Sequence, residues 1–348
     1  MTGRKKLTSF KELKVEKKDK KEQIFKLNAK NSECFGNKTI DNKSHEFLTY
    51  QDQIIKLKEL GIKIDKPDSQ VEQFLKSYSY FRLNKYRFDM YKDSRKFKKK
   101  FSTIQNIYLL DEKLRLLFLK YAMQLEVCLS STIAYLLSDK YKSVSPHLKE
   151  EKLKNAITEV LSYKKWNSKN SYDYNRSIES IIISFTFGEL KKFYDRLDYD
   201  CDIQGKIANS YIYQTNNMNN ETALSLFKDW IDSIVNLRNK CAHSYQLLFR
   251  NYPRPKPYRE VKAGGKKAQE YKEKTLLAEG TQSAHILIRK TGNSFFHILS
   301  SLKYFIDNID KNNRMKEELE GILCEIGDDI RLEECGIPDN WTEFYPWK

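Results

Sequence analysis

The longest run of regular apolar spacing lies between Ser102 and Tyr141, and it limits the kind of fold that this chain can adopt. Its mostly apolar positions recur every three or four residues, at Ile107, Leu110, Leu114, Leu117, Tyr121, Leu125, Cys128, Thr132 and Leu136. This spacing is typical of one face of an α-helix. A helix of about 35 residues is roughly 50 Å long, enough to span a whole domain. We therefore predict an all-α fold around this helix, with Ser102–Gln105 as its capping box.

Shorter helices are predicted on both sides of the long one. Thr49 and Asp52 fit a helix start, and Gly61 fits the end of the same helix. Further helices are predicted at Val71–Tyr80, Glu150–Tyr163 and Ala284–Ile309. The segment Ile178–Phe187 is apolar and rich in β-branched residues, which fits either a strand or a buried helix.

Changes in composition predict four parts of the chain. Residues 1–45 are Lys-rich and are expected to form a basic, flexible segment, and residues 46–101 a small helical module. Residues 102–310 are expected to form the main helical domain, with a basic insertion rich in Pro and Gly at about 251–280. Residues 311–348 are predicted to pack on that domain as a C-terminal segment.

The net charge favours a polyanionic partner. Lys and Arg number 63 against 47 Asp and Glu, a formal charge of +16, which suits nucleic acid or an anionic membrane surface. A lysine-rich surface from a lysine-biased genome fits the same number. No apolar run near 18 residues is evident, so no membrane span is expected. Six scattered Cys without a CxxC pair predict reduced thiols in a cytoplasmic protein, not a zinc site.

Several basic residues are candidates for RNA contact. Arg82, Lys85 and Arg87 alternate with aromatic residues, and such mixtures suit bases and phosphates. Aromatic residues of this kind also simply pack helix junctions. The remaining candidates come from a basic turn before the long helix and from the region that follows residue 249: Lys98, Lys99, Lys100, Arg250, Arg254, Lys256 and Arg259.

The candidate catalytic residues lie in Asn220–Arg250, a segment whose apolar spacing predicts a helix. Asn239 and His243 are four residues apart and would share a helix face, and the long side chain of Arg238 can reach back across the turn. Histidine acts as acid or base near neutral pH, and arginine neutralises phosphate oxygens. Asparagine can orient the imidazole or hold a phosphate oxygen.

These three residue types suit RNA cleavage through the ribose 2′-OH, with a 2′,3′-cyclic phosphate and a 5′-hydroxyl as products and without a metal or other cofactor. Glu126 is the acid in the middle of the apolar long helix, and it either reaches solvent or supports the site by facing a basic group. Cys241 near His243 suggests a thiol nucleophile, but residues two apart on a helix point in different directions. Because one chain supplies one such histidine, we predict a homodimer with a composite site.

The segment Leu237-Arg238-Asn239-x-x-Ala242-His243 resembles the R-x4–6-H motif of HEPN-domain ribonucleases. The wider pattern, over about 46–250 and 284–348, resembles the Abi-like abortive-infection proteins of the AbiD/AbiF group. Its pieces include Tyr80-Phe81-Arg82-Leu83-x-x-Tyr86, Ser184-Phe185-x-x-Gly188-Glu189-Leu190 and Gly336-Ile337-Pro338-x-Asn340-Trp341.

The resemblance implies a HEPN-type helical bundle, a role in bacterial phage defence as an RNA-cleaving toxin, and a catalytic group of Arg238, Asn239 and His243. It also implies pairing with a small structured non-coding RNA. The Lys-rich first 45 residues and the basic insertion depart from the family pattern. The alternatives are a non-catalytic RNA-binding protein with a structural HEPN-like fold and a DNA-binding regulator. For the regulator, the chain has no helix-turn-helix with a credible recognition helix.

Overall fold

The computed structural model describes residues 47–91, 97–162, 176–212, 220–253, 255, 295–327, 330–343 and 346–348. These residues form α-helices and short 3-10 turns without a β-strand, so the all-α prediction is confirmed. The α-helices are α1 (Tyr50–Glu59), α2 (Asp68–Tyr78), α3 (Tyr80–Met90), α4 (Phe101–Tyr141), α5 (Glu151–Ser162), α6 (Ile178–Ile183), α7 (Phe187–Asp195), α8 (Cys201–Tyr211), α9 (Asn220–Ala242), α10 (Phe295–Ile309) and α11 (Met315–Cys324). The basic segment 1–45 and the candidates Arg254, Lys256 and Arg259 lie outside the described residues.

Helix α4 is the long helix that the apolar spacing predicts, and it is 41 residues long. It packs against α3, α6, α7, α8, α9, α10 and α11. Its start differs from the predicted capping box, because the helix begins at Phe101 and Lys100 before it provides no capping side chain. Instead, a carboxylate from an earlier loop serves the helix start, since Asp65 Oδ1 accepts the Ser102 N–H at 3.0 Å.

By length and composition alone, α4 is apolar enough to cross a membrane. One 18-residue window has a mean hydropathy of 1.2, which corrects the expectation that no such stretch is present. The core helix of a globular fold passes the same test, and 44% of this window is buried inside the fold. The expectation that no segment spans a membrane therefore stays a prediction.

Local hydrogen bonds explain where the shorter helices begin. Thr49 Oγ1 accepts the Asp52 N–H at 3.2 Å, and Asp52 Oδ2 accepts the Thr49 N–H at 3.0 Å, which confirms the predicted start of α1. Thr186 and Glu189 form a reciprocal capping box at the start of α7. The ambiguous apolar segment from Ile178 forms helix α6 rather than a strand, and Ser177 caps it.

Aromatic side chains fill the core between α8, α9 and α10. The Trp230 ring on α9 lies with its centroid 5.3 Å from that of Tyr304 and 5.5 Å from that of Phe305. Near the C-terminus, the buried Trp347 indole N–H donates to Ser300 Oγ at 2.8 Å. The described residues between Gln53 and Lys348 form one compact unit. The predicted boundaries near residues 101 and 310 fall inside it and stay predictions.

Candidate active site

The candidate catalytic residues lie at the C-terminal end of α9. This helix buries Phe227, Trp230, Ile234 and Leu237, so its polar end is held against the core on one side. The helix ends at Ala242, and the prediction that it continues to Arg250 is wrong. His243 is the C-cap residue, because its N–H still donates to Asn239 O at 3.1 Å.

A Schellman motif ends the helix. The Tyr245 N–H donates to Lys240 O at 2.9 Å and the Ser244 N–H donates to Cys241 O at 3.0 Å, while Ser244 adopts a left-handed φ of 55°. Glycine usually occupies this position because it has no Cβ to strain the backbone. Since serine stands here, the sequence carries no obvious stop signal.

Replacing Ser244 with glycine is expected to stabilise the protein by about 1 kcal/mol. A non-glycine residue in the left-handed region costs about 1–2 kcal/mol. Glycine removes this cost, but the net gain is smaller because glycine loses more conformational entropy on folding. The measurement is the midpoint of denaturant unfolding. Ser244→Ala is the matched control, since alanine keeps the Cβ and should gain nothing. A lower midpoint for Ser244→Gly than for Ser244→Ala would contradict this account.

The loop after His243 is fastened to α4 by the buried carboxylate of Asp111. Asp111 Oδ1 accepts the N–H groups of Leu247 at 2.9 Å and Leu248 at 2.6 Å. Its other oxygen accepts the Tyr86 hydroxyl at 2.7 Å and forms an ion pair with Arg115. Burial raises the pKa of Asp111 to about 6, although Arg115 and the two amides act in the opposite direction. These contacts fix the backbone that carries His243.

The thiol nucleophile has no support in this geometry. Cys241 is buried, and burial raises the pKa of its thiol well above the ordinary value. A buried thiol of this kind is a poor nucleophile, because the thiolate is the reactive form. In the part of the chain that the structure describes, no group of three or more His, Cys, Asp or Glu is placed to hold a metal ion.

A cavity of about 490 Å³ opens beside His243. Its lining residues come from α3, from α4 and from the loop after α9: Arg82, Lys85, Tyr86, Tyr108, His243, Ser244, Tyr245 and Gln246. His243 is exposed at this cavity. The structure therefore brings together Arg82, Lys85 and His243, which the sequence analysis assigned separately to RNA binding and to catalysis.

The cavity is cationic. Arg82 and Lys85 lie three residues apart on α3, and within the described part of the chain neither forms an ion pair. Partial burial lowers the pKa of Lys85, and the nearby charges of Arg250 and Lys240 act in the same direction. Unbalanced positive charge in a cleft attracts an anion such as a phosphate group.

Arg238 belongs to a different group of contacts. Its Nη2 donates to Glu126 Oε2 at 3.1 Å, and its Nη1 donates to Asn239 Oδ1 at 3.3 Å. Among the described residues, no hydrogen-bond acceptor lies within reach of its buried Nε. Burial raises the pKa of Glu126, while the Arg238 charge acts in the opposite direction. Of the two predicted environments for Glu126, the structure shows the one in which it faces a basic group. Arg238 does not line the His243 cavity.

The other RNA-binding candidates that the structure describes do not line the His243 cavity. Arg87 Nε donates to Asn84 Oδ1 at 2.6 Å, and Arg250 forms an ion pair of 2.7 Å with Asp89. The basic turn before α4 contains the exposed Lys98 and Lys99 and the half-buried Lys100. None of these lines the His243 cavity.

The sequence analysis missed the group that positions the site, which is Tyr86, Asp111 and Arg115. A signal was present, because Asp111 and Arg115 are two opposite charges four residues apart within an otherwise apolar helix. Such a pair either faces solvent or forms a buried ion pair. The tyrosine at position 245, beside the cavity, was also not singled out.

The fold and the site define an all-α protein in which a histidine at a helix end opens onto a cationic cavity. The model of the Abi-like protein family matches residues 73–248, about half of the chain. The match includes every residue that lines the cavity, as well as Glu126 and Arg238. The chain therefore belongs to the Abi-like protein family. Comparisons with curated proteins and with solved structures give no match.

Proposed function

We propose that this Abi-like protein is a HEPN-type endoribonuclease toxin of the AbiD/AbiF group that acts in bacterial abortive-infection defence. Membership of the Abi-like family supports the defence role. The observation that carries the nuclease proposal is the exposed His243, which shares a cavity with the two cations Arg82 and Lys85. An acid–base group next to unpaired positive charge is what cleavage of a phosphodiester requires.

In the proposed reaction the RNA supplies its own nucleophile. His243 takes the proton of a ribose 2′-OH, and the 2′-oxygen attacks the adjacent phosphorus. The bond from phosphorus to the 5′-oxygen then breaks, and that oxygen receives a proton. The products are a 2′,3′-cyclic phosphate and a 5′-hydroxyl. Positive side chains stabilise the charge that develops on the phosphate oxygens, with Arg238 and Asn239 completing the catalytic group.

The leaving 5′-oxygen needs a proton from a second acid–base group, and this need motivates the proposed homodimer. Among the described residues, one chain contributes one histidine to this site, and its Arg238 is bound to Glu126 rather than lining the His243 cavity. A two-fold symmetric dimer that joins two α9 ends would place one chain's arginine beside the other chain's histidine. The second histidine then serves as the acid for the leaving oxygen.

The proposed partners are substrate RNA and a small non-coding RNA that restrains the toxin. The net charge of +16 supports a bound polyanion. The second candidate function is RNA binding without catalysis. The ion pair between Arg238 and Glu126 favours that candidate, because it occupies the arginine that catalysis needs.

The two candidates are separated by the chemistry of the RNA ends. Purified protein is incubated with a single-stranded RNA and excess EDTA, and the products are analysed for their termini. The nuclease proposal expects cleavage that EDTA does not change, with 2′,3′-cyclic phosphate and 5′-hydroxyl ends. RNA that is bound but stays intact would support the RNA-binding candidate. Ends with a 3′-hydroxyl and a 5′-phosphate would exclude the proposed reaction.

A further inference from the structure

We infer that the His243 cavity binds one unpaired nucleotide of the RNA strand. The phosphate of this nucleotide lies on Arg82 and Lys85, and its base stacks on Tyr245. The inference rests on the proposed function and adds which form of RNA the site accepts. The geometry points to a single-stranded substrate, because a base must leave the stack of a duplex before it can lie against Tyr245 in the cavity.

Tyr245 provides the stacking surface. It lines the cavity, and 51% of the side chain is exposed, whereas the neighbouring Tyr86 and Tyr108 are buried. Its position follows from the Schellman motif, in which its backbone N–H donates to Lys240 O. The Lys240 ammonium lies 5.7 Å from the ring centroid. An exposed aromatic ring held by its own backbone is the platform on which proteins stack bases of single strands.

The cations are available to the phosphate. Burial lowers the pKa of Lys85 and the negative charge of Asp89 acts to raise it, but the Asp89 carboxylate already forms an ion pair with Arg250. Arg82 presents a planar fork of donors, which matches two oxygens of a phosphate. A volume of about 490 Å³ is in the range that proteins use for small ligands. A nucleotide therefore matches the charge, the aromatic wall and the size of the cavity.

The cavity is not built to read one base. The Gln246 amide is used inside the fold, since its Nε2 donates to Leu248 O at 3.0 Å and its Oε1 accepts from Arg250 at 3.2 Å. The Tyr86 hydroxyl is likewise bound to Asp111. Stacking tolerates every base, but a base in a duplex must first be unstacked at a cost of a few kcal/mol. The site therefore selects unpaired RNA over duplex RNA, with weak preference among bases.

The test uses the full chain with His243→Ala, which is expected to cleave the probe too slowly to affect the binding measurement, and a trinucleotide with 2-aminopurine in its centre. Stacking on an aromatic ring changes the fluorescence of this base. Adding Tyr245→Ala is expected to weaken binding about 5- to 150-fold, the loss of one stacked base. Adding Tyr245→Phe instead should leave binding at the level of the His243→Ala protein, because phenylalanine keeps the stacking ring. Tyr135→Ala, at an exposed tyrosine elsewhere, is the matched control and should change nothing.

Two results would overturn the inference. One is an unchanged affinity and fluorescence change in Tyr245→Ala. The other is a duplex carrying 2-aminopurine that binds as tightly as the single strand. Failure of the proposed function has a different signature, since wild-type protein would then leave RNA intact while Tyr245-dependent binding persists.

Discussion

Replacing His243 with alanine is expected to lower the rate of RNA cleavage by about 10²- to 10⁴-fold, the contribution that a general acid or base makes to catalysis. The fold should survive the change, because His243 caps α9 through its backbone N–H and its side chain is exposed. The measurement is the single-turnover cleavage rate of a labelled RNA. Binding of the same RNA should stay within a few-fold of wild type.

Asn236→Ala is the control for the His243 variant, because Asn236 is exposed on the same helix and does not line the His243 cavity. It should cleave like wild type. The enzyme proposal fails if His243→Ala protein cleaves at the wild-type rate or is as toxic to cells as the wild-type protein.

Mixing two inactive variants extends this first prediction to the proposed dimer. Arg238→Ala and His243→Ala chains are each expected to be inactive. If the site is composite, a mixed dimer holds one intact arginine and one intact histidine in a single cleft. Part of the cleavage activity then returns after mixing, and it stays below the wild-type rate because the second histidine is missing. If each chain holds a complete site, mixing restores nothing, and the composite site is excluded.

Replacing Asp111 with asparagine is expected to lower the free energy of unfolding by about 3–5 kcal/mol, because it leaves Arg115 as an uncompensated buried charge. Both side chains are almost fully buried, so water cannot substitute for the lost partner. Asparagine also presents an NH2 group to donors that now bind carboxylate oxygens. The measurement is urea-induced unfolding followed by circular dichroism.

Glu72→Gln is the matched control for Asp111→Asn. It breaks the Glu72–Lys76 ion pair, which has the same i,i+4 spacing but is much more accessible to water, with 54% of the Lys76 side chain and 29% of the Glu72 side chain exposed. Exposed pairs of this kind contribute about 0–1 kcal/mol. A variant Asp111→Asn that unfolds at the same urea concentration as Glu72→Gln would show that the buried pair does not hold the His243 loop.

The longest helix, α4, was predictable from the spacing of its apolar residues. Nineteen of its side chains are buried, and a helix that buries one face in the core carries apolar residues every three or four positions. Local polar signals predicted the start of α1 equally well, since Thr49 and Asp52 bond to each other. The end of α9 escaped prediction for two reasons. Ser244 adopts a left-handed backbone conformation that is usually predicted only where glycine stands. The Asp111 carboxylate, which accepts the Leu247 N–H, lies 136 residues earlier in the chain.

The candidate site was predictable in its parts and not in its arrangement. Arg82 and His243 were each identified from local sequence, but nothing local to either residue indicates that α3 lies beside the end of α9. The Glu126 carboxylate likewise had two open environments until its partner Arg238 was located. Side chains that meet across helices are fixed by packing, which periodicity does not encode.

The contact between Asp111 and Leu247 has a consequence for how such a protein is made. Contacts between residues far apart in sequence form late, because a long segment must be ordered first. While Leu247 and Leu248 are still inside the ribosome, their N–H groups cannot donate hydrogen bonds to the Asp111 carboxylate. The backbone that carries His243 is then not held against α4. A chain interrupted before that point never assembles the site. The backbone that carries His243 is therefore held in place only after synthesis has passed these two leucines.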